Sequence, residues 1–317
     1  MGVLITGVAG FIGFHVAEKL LARGEEVIGV DNINSYYDPS LKEARKNVLL
    51  NYDRFKFYKV DICDFEKLES IYRNHEIEYV CHLAAQAGVR YSLIDPFSYQ
   101  KSNLEGFLNV IELSKQAKVA NFVYASSSSV YGSNKKLPFS EGDRVDAPIS
   151  LYAATKKSNE LIAHVYSHLF ELPCTGLRFF TVYGPYGRPD MALFKFTRNI
   201  LEGRPIDVYN FGNMKRDFTY IDDIVNGVVS AIYKSFSYEI FNLGRSKSEN
   251  LMDFIHLIEK YTGKKAELNF LPMQPGDVPE TYADVSHARE LLGYDPRVDI
   301  EVGVRKFIEW YLDYYKV

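Results

Sequence analysis

The chain has 317 residues, 47% of them hydrophobic and 25% charged, which excludes a disordered chain and allows about two domains without disulfides or metals. Its 37 basic and 41 acidic residues leave a net charge of −4, which argues against a nucleic-acid binder. Cys63, Cys81 and Cys174 lack paired spacing, so a disulfide scaffold or Cys-rich zinc site is excluded and a reducing compartment, the cytoplasm, is expected.

The first half alternates strand and helix signals. Residues 3–6 form a β-branched run, and 11–22 carry a helical pattern that stops at Gly24. Strands are predicted at 27–30, 55–60 and 79–83, an amphipathic helix over 98–117, and a strand at 122–125. A helix from about 151 to 169 and a strand at 175–180 follow. This alternation predicts an α/β fold, a doubly wound parallel sheet with helices on both faces.

The second half is less regular. Gly and Pro cluster over 183–189, then come a helix at 192–201 and a strand at 206–209. Helices are predicted at 251–261 and 302–315, and 276–279 reads as a loop. The segment 222–233 followed by 239–242 is able to return to the main sheet, which makes the domains discontinuous. Residues 1–180 with about 218–244 form the expected dinucleotide-binding domain, and about 181–217 with 245–317 a smaller α/β lobe. No targeting segment and no membrane span are expected, because no run of about 18 apolar residues occurs.

The first strand runs into Gly7-Val8-Ala9-Gly10-Phe11-Ile12-Gly13. Glycines in this spacing permit a tight turn, and the helix after them aims its N–H groups at a pyrophosphate. Asp31 ends the second strand, where a carboxylate accepts hydrogen bonds from ribose hydroxyls and repels a 2′-phosphate. The loop from Asn32 through Asn34 offers no Arg, so NAD is favoured over NADP. Asp61-Ile62 ends the third strand, in reach of the adenine or as a simple turn.

Tyr152-x-x-x-Lys156 places a phenol and an ammonium one helical turn apart. A nearby ammonium favours the phenolate of a tyrosine whose free pKa is ~10, which makes it a general base. Three other Tyr-x-x-x-Lys pairs occur, starting at Tyr52, Tyr131 and Tyr261. Only Tyr152 opens a long helix just after a strand that ends in Ala125-Ser126-Ser127-Ser128-Ser129. His164 and His168 lie four apart on the same helix without a third ligand, so no metal site is expected.

Together these pieces resemble the extended short-chain dehydrogenase/reductase superfamily. Further matches are His82-Leu83-Ala84-Ala85, Val130-Tyr131-Gly132, Leu177-Arg178-Phe179-Phe180-Thr181-Val182-Tyr183-Gly184 and Arg216-Asp217-Phe218-Thr219-Tyr220. They run in family order along nearly the whole chain. The resemblance implies a Rossmann-type nucleotide-sugar enzyme with tightly held NAD, cradled in part by Leu83, Ala84 and Ala85 and touched by Tyr152 and Lys156. It implies that the Ser127 hydroxyl bonds the reacting sugar oxygen and that Arg216 reaches the diphosphate. Gln274 stands where many relatives carry a second cationic clamp.

The stretch Ser127-Ser128-Ser129 has no carboxylate, whereas 4,6-dehydratases and UDP-glucuronate decarboxylases of this superfamily carry one there. Residues 86–93, 187–192 and 273–278, the last including Asp277, are most similar to UDP-glucuronate 4-epimerases. That likeness implies reversible C4 inversion through a 4-keto sugar, without decarboxylation. Ser128, Ser129, Thr181 and Arg188 are then the expected restraints on the sugar carboxylate, with Arg90 a weaker candidate. A UDP-glucose or UDP-N-acetylglucosamine 4-epimerase remains an alternative, and a decarboxylase a remoter one. The helices at 98–117 and 151–169 resemble the pair that superfamily homodimers pack together.

Overall fold

The computed structural model describes residues 2–274 and 276–317. Met1, and Pro275 of the 273–278 stretch, lie outside the described residues. The chain begins β1 (Gly2–Thr6), α1 (Phe11–Ala22), β2 (Val27–Asp31), α2 (Pro39–Leu49), β3 (Phe55–Lys59), α3 (Phe65–Asn74) and β4 (Ile77–His82). Next come α4 (Pro96–Tyr99), a π-helical turn (Gln100–Glu105), α5 (Gly106–Ala117), β5 (Asn121–Ser127), α6 (Leu151–Phe170) and β6 (Cys174–Phe179). The strands alternate side chains between two cores, as a period of two requires. Val3 and Ile5 enter one apolar cluster with Phe14, Leu20 and Val228, while Leu4 enters another with Phe107, Val110 and Phe122.

The remaining elements are β7 (Thr181–Tyr183), α7 (Ala192–Leu201), β8 (Ile206–Tyr209), β9 (Lys215–Arg216), β10 (Phe218–Tyr220), α8 (Ile221–Tyr233) and β11 (Tyr238–Leu243). They are followed by β12 (Glu249–Asn250), α9 (Leu251–Thr262), β13 (Leu268–Leu271), β14 (Glu280–Thr281), α10 (Ser286–Leu292) and α11 (Ile300–Tyr315). The main sheet has seven parallel strands in the order β11-β6-β5-β4-β1-β2-β3. The order reverses between β1 and β4, and ligands of such sheets bind beyond the carboxyl ends of the strands at that point. Three small sheets, β10-β7, β12-β9-β14 and β13-β8, lie outside it.

Three differences from the sequence expectation have physical causes. The helix expected over 98–117 is interrupted by the π turn, where the Asn103 carbonyl accepts from Asn159 Nδ2 at 2.6 Å and the Asn103 side chain bonds Gln86 and Thr155. The strand expected to run to Phe180 stops at Phe179, and Thr181–Tyr183 pairs instead with Phe218–Tyr220. Helices α2 and α3 start on Asp38, which accepts from Ser40 N at 2.9 Å, and Asp64, which accepts from Lys67 N at 3.2 Å. These are Asp N-caps, with Pro39 in the first turn of α2.

His82, at the end of β4, is 2% exposed and shares a 2.8 Å hydrogen bond between Nδ1 and Thr6 Oγ1. Burial, with the Lys156 charge, pushes its pKa down from 6.5 to about 3. The unfolded chain therefore binds this proton first as pH falls from 6.5 towards 3, and stability is lost over that window. The expected slope is about 1.4 kcal/mol per pH unit for this residue. Chemical denaturation from pH 7 to 4.5 checks it: His82→Asn is expected to flatten the fall, and an unchanged slope contradicts the assignment.

Candidate active site

A cavity of about 410 Å³ opens at the carboxyl ends of β1, β2, β4, β5 and β6. Its lining includes Gly7, Gly10, Phe11, Ile12, Gly13, Asp31, Asn32, Asp61, Ile62, Leu83, Ala84 and Ala85. It also includes Ser127, Ser128, Ser129, Tyr152, Lys156, Thr181 and Arg188. The fold thus collects into one cleft residues spread over 180 positions of sequence.

The β1–α1 turn is built for close approach. Gly7 has φ 71°, and a Cβ on it would come within 2.7 Å of Ala84 N. Helix α1 begins at Gly10 with no side-chain cap and no acidic residue in its first turn, so its free N–H groups remain for an anion. At the far end, Asp31 accepts from Ile33 N at 2.8 Å and Ala9 N at 3.1 Å. One N–H per oxygen leaves lone pairs for a diol. Asp61 orients Asn32 through a 3.0 Å bond. A dinucleotide fits this cradle: amide donors for a pyrophosphate at one end, carboxylate acceptors for a ribose at the other.

Two basic residues here escape a reading of the loop alone. Lys42, from α2, reaches back to bond the Asn34 carbonyl at 2.9 Å and its side-chain oxygen at 2.5 Å. Burial lowers the Lys42 pKa to about 8, against the pull of Asp31. The loop from Asn32 through Asn34 carries no Arg, but Lys42 and Arg45 of α2 place positive charge near Asp31. Arg45, one turn further, is fully buried. It donates to Ala9 O at 2.9 Å, Tyr37 OH at 2.7 Å and Tyr186 O at 2.6 Å. The turn that would hold phosphate is therefore tied to the loop that carries Arg188. The signal for both was an Asp-Pro helix start followed by cations three apart.

Tyr152 and Lys156 open α6, which Ser150 caps by accepting from Ala153 N at 3.1 Å. Burial raises the Tyr152 pKa, while the neighbouring Ser127 hydroxyl and then the Arg188 charge pull it down. Lys156 is 3% exposed and donates to Ala125 O at 2.8 Å. Burial lowers its pKa to about 8. The strand end takes one of the three ammonium donors, and Lys156 lines the same cleft as Tyr152. Ser127 Oγ accepts from Ser129 N at 3.2 Å and lies 3.2 Å from Ser129 Oγ, so the serine stretch curls into the cleft.

Arg188 lines the cleft and is paired with a carboxylate of its own loop. Its Nε donates to Asp190 Oδ1 at 3.0 Å and its Nη2 to Asp190 Oδ2 at 2.5 Å, and Tyr36 OH donates to the same carboxylate at 3.2 Å.

Arg90, Arg216, Gln274 and Asp277 do not line the main cavity. Arg90 pairs with Asp277 at 2.9 Å and lies over the Tyr209 ring at 4.7 Å. Burial lowers the Arg216 pKa, and Asp277 is the nearby charge that opposes this. Arg216 donates to the carbonyls of Lys215 and Pro279. Gln274 Oε1 is buried and has no partner among the described residues. Asp217, beside Arg216, is fully buried and accepts from Thr219 OH and from the N–H groups of Arg245, Ser246 and Ala283 at 2.6–3.1 Å. It fastens the strand under Arg216 to two other segments.

A sheet with this strand order, a glycine turn at its switch point and a tyrosine at the end of a serine-lined cleft define a dinucleotide-dependent enzyme acting on an alcohol carbon. The chain belongs to the NAD dependent epimerase/dehydratase family, which it matches over residues 3–244. It is 58% identical to an uncharacterized protein of Methanocaldococcus jannaschii, over 98% of this chain and 96% of that one. It is 49% identical to UDP-glucuronate 4-epimerase 1 of Arabidopsis thaliana, over 99% of this chain and 77% of that one. The crystal structure of UDP-glucuronic acid 4-epimerase from Bacillus cereus with UDP-glucuronic acid and NAD matches with a TM-score of 0.93. That match has 37% identity and covers 99% of this chain and 100% of that one.

Proposed function

We propose that the protein is an NAD-dependent UDP-sugar 4-epimerase that interconverts UDP-glucuronate and UDP-galacturonate. One observation carries this reading: Tyr152, the carboxylate-free Ser127–Ser129 curl, Thr181 and Arg188 face a single cleft. A 4,6-elimination needs a positioned acid beside Ser127, and none of residues 127–129 supplies one. The kinship with UDP-glucuronate 4-epimerases supports the same choice.

NAD, held along the β1–α1 turn and Asp31, supplies a reversible two-electron oxidation at C4. Tyr152 takes the C4 hydroxyl proton and later returns it. Ser127 hydrogen-bonds the C4 oxygen and holds it against the phenol. Arg216 meets the diphosphate, with Gln274 and the Arg90–Asp277 pair around it. The 4-keto sugar turns about its diphosphate linkage and is reduced from its other face. This ketone of a uronate is a β-keto acid, which loses CO2 when its carboxylate bond aligns with the carbonyl π system. Arg188, Ser128, Ser129 and Thr181 hold the carboxylate out of that alignment.

The Arg188–Asp190 pair favours a second reading, a neutral UDP-hexose as substrate, because it leaves the guanidinium already neutralised. Incubation of the purified protein, without added NAD, with UDP-glucuronate, UDP-glucose and UDP-N-acetylglucosamine separates the two. Chromatography is expected to find UDP-galacturonate and no pentose. Turnover of the neutral sugars alone overturns the uronate reading.

Arg188→Ala is expected to weaken UDP-glucuronate binding about 10- to 100-fold, as loss of a charge-assisted pair implies, and UDP-glucose far less. Equal losses in calorimetric titration of both ligands contradict a carboxylate role.

The same proposal divides the chain into residues 1–180 with about 218–244, and about 181–217 with 245–317. Strand β11 at the edge of the main sheet supports this division. It also includes a homodimer. Helices α5 and α6 expose Leu108, Leu161, Val165 and Leu169, an apolar set suited to a second copy. The three cysteines are free, which supports the cytoplasm. Among the described residues, no helix is long and apolar enough to cross a membrane.

A further inference from the structure

The side edge of the Arg188 guanidinium, Nε with Nη2, is filled by the two oxygens of Asp190. Arg188 lines the cavity, and its end edge, Nη1 with Nη2, has Tyr36 as a neighbour but no second carboxylate among the described residues. A sugar carboxylate that takes this end edge lies across one guanidinium from Asp190. Two anions then share one cation, in a part-buried site where water screens them weakly. A neutral hydroxyl at the same edge meets no such opposition.

Asp190 is held in this relation. Met191 N donates to Arg188 O at 3.1 Å, closing a turn around the pair. Tyr36 OH bonds the Asp190 carboxylate from the β2–α2 loop, and Arg45 holds the loop backbone at Tyr186. Lys42 is the other cation whose field reaches Arg188, and it is pinned to Asn34. The Asp190 carboxylate is therefore held from two sides, by Arg188 and by Tyr36.

We propose that Asp190 is a specificity-determining residue that counters the charge of Arg188 and so limits the preference of the site for an anionic over a neutral sugar. The proposal rests on the reading of Arg188 as the group that meets the sugar. It adds a built-in acidic counterweight to that reading, one that leaves room for neutral UDP-hexoses at a lower penalty.

The test is calorimetric titration of UDP-glucuronate and UDP-glucose into four proteins: wild type, Asp190→Asn, Arg188→Ala and the double variant. Asp190→Asn is expected to raise the preference for UDP-glucuronate roughly three- to tenfold, by freeing the guanidinium charge that Asp190 neutralises. In the Arg188→Ala background the same change is expected to do nothing, since its effect passes through Arg188. Asp190→Glu keeps the charge and is expected to keep the wild-type preference. Asp190→Ser serves the same comparison if the asparagine variant melts early. An unchanged or lowered preference in Asp190→Asn, or an equal rise in both backgrounds, overturns the proposal. If Arg188→Ala by itself lowers the preference while Asp190→Asn leaves it unchanged, only the role of Asp190 falls. If Arg188→Ala leaves it unchanged, the carboxylate reading of Arg188 falls too.

Discussion

Tyr152→Phe is expected to lower the rate of C4 inversion by about 10³-fold, within the range that a positioned general base supplies. The change removes one oxygen and leaves the ring where it packs, edge-on to Tyr99 at 6.0 Å. Most of the cradle for the cofactor lies away from the phenol oxygen, in the β1–α1 turn and at Asp31. Bound NAD, measured by its release on denaturation, is therefore expected to stay at the wild-type level. The pH profile adds a second check. Burial raises the Tyr152 pKa, so the phenolate that acts as base is lost as pH falls. Activity should climb with pH in the wild type, and the residual rate of the Phe variant should not follow that curve. A variant that retains more than about a tenth of the rate removes Tyr152 from the role of base.

Glu160→Ala is expected to cost about 3–5 kcal/mol of stability, because it strands a buried guanidinium. Arg178 is 2% exposed and donates to both oxygens of Glu160, from Nε at 2.8 Å and Nη2 at 2.9 Å. Ser126 Oγ donates to Glu160 as well, at 2.7 Å. Burial works to raise the Glu160 pKa, and Arg178 nevertheless holds it below its ordinary value. The pair joins α6 to β6 and β5 just beneath Tyr152, Lys156 and Ser127. Thermal melting should fall by roughly 10 °C. The double change Glu160→Gln with Arg178→Met removes both charges and should recover much of that loss, since no ion is left unpaired. Equal melting of wild type and Glu160→Ala contradicts the account.

The sequence carried the sheet well, because its strands are short and the central ones, such as β1 and β2, are rich in β-branched residues and buried on both faces. The glycine turn and Asp31 were legible for the same local reason: the chemistry lies within a few residues of the strand ends. Helices α2 and α3 were less visible. Their apolar faces are thin, and α2 spends two of its buried positions on Lys42 and Arg45, which no hydrophobic period reveals. The cleft residues from Ser127 to Arg188 were found individually. Their pairings were not, since Arg188 with Asp190 and Lys156 with Ala125 O depend on where loops and strand ends meet. The π turn at Gln100–Glu105 answers to the Asn159 side chain 56 residues away from Asn103, and no window of local sequence contains that bond.

Arg45 has one more consequence. It is a cation with no ion pair among the described residues, fully buried behind the glycine turn and bonded there to neutral oxygens, with Asp31 the nearby opposite charge. Mobile ions of the solvent cannot gather around it, so its field at the turn survives ionic strengths that silence surface lysines. A mildly acidic protein thus carries a fixed patch of attraction for a dianion inside its scaffold. Of the affinity for a pyrophosphate, the part supplied there is set at folding and is weakened less by added salt than the part supplied by surface charges.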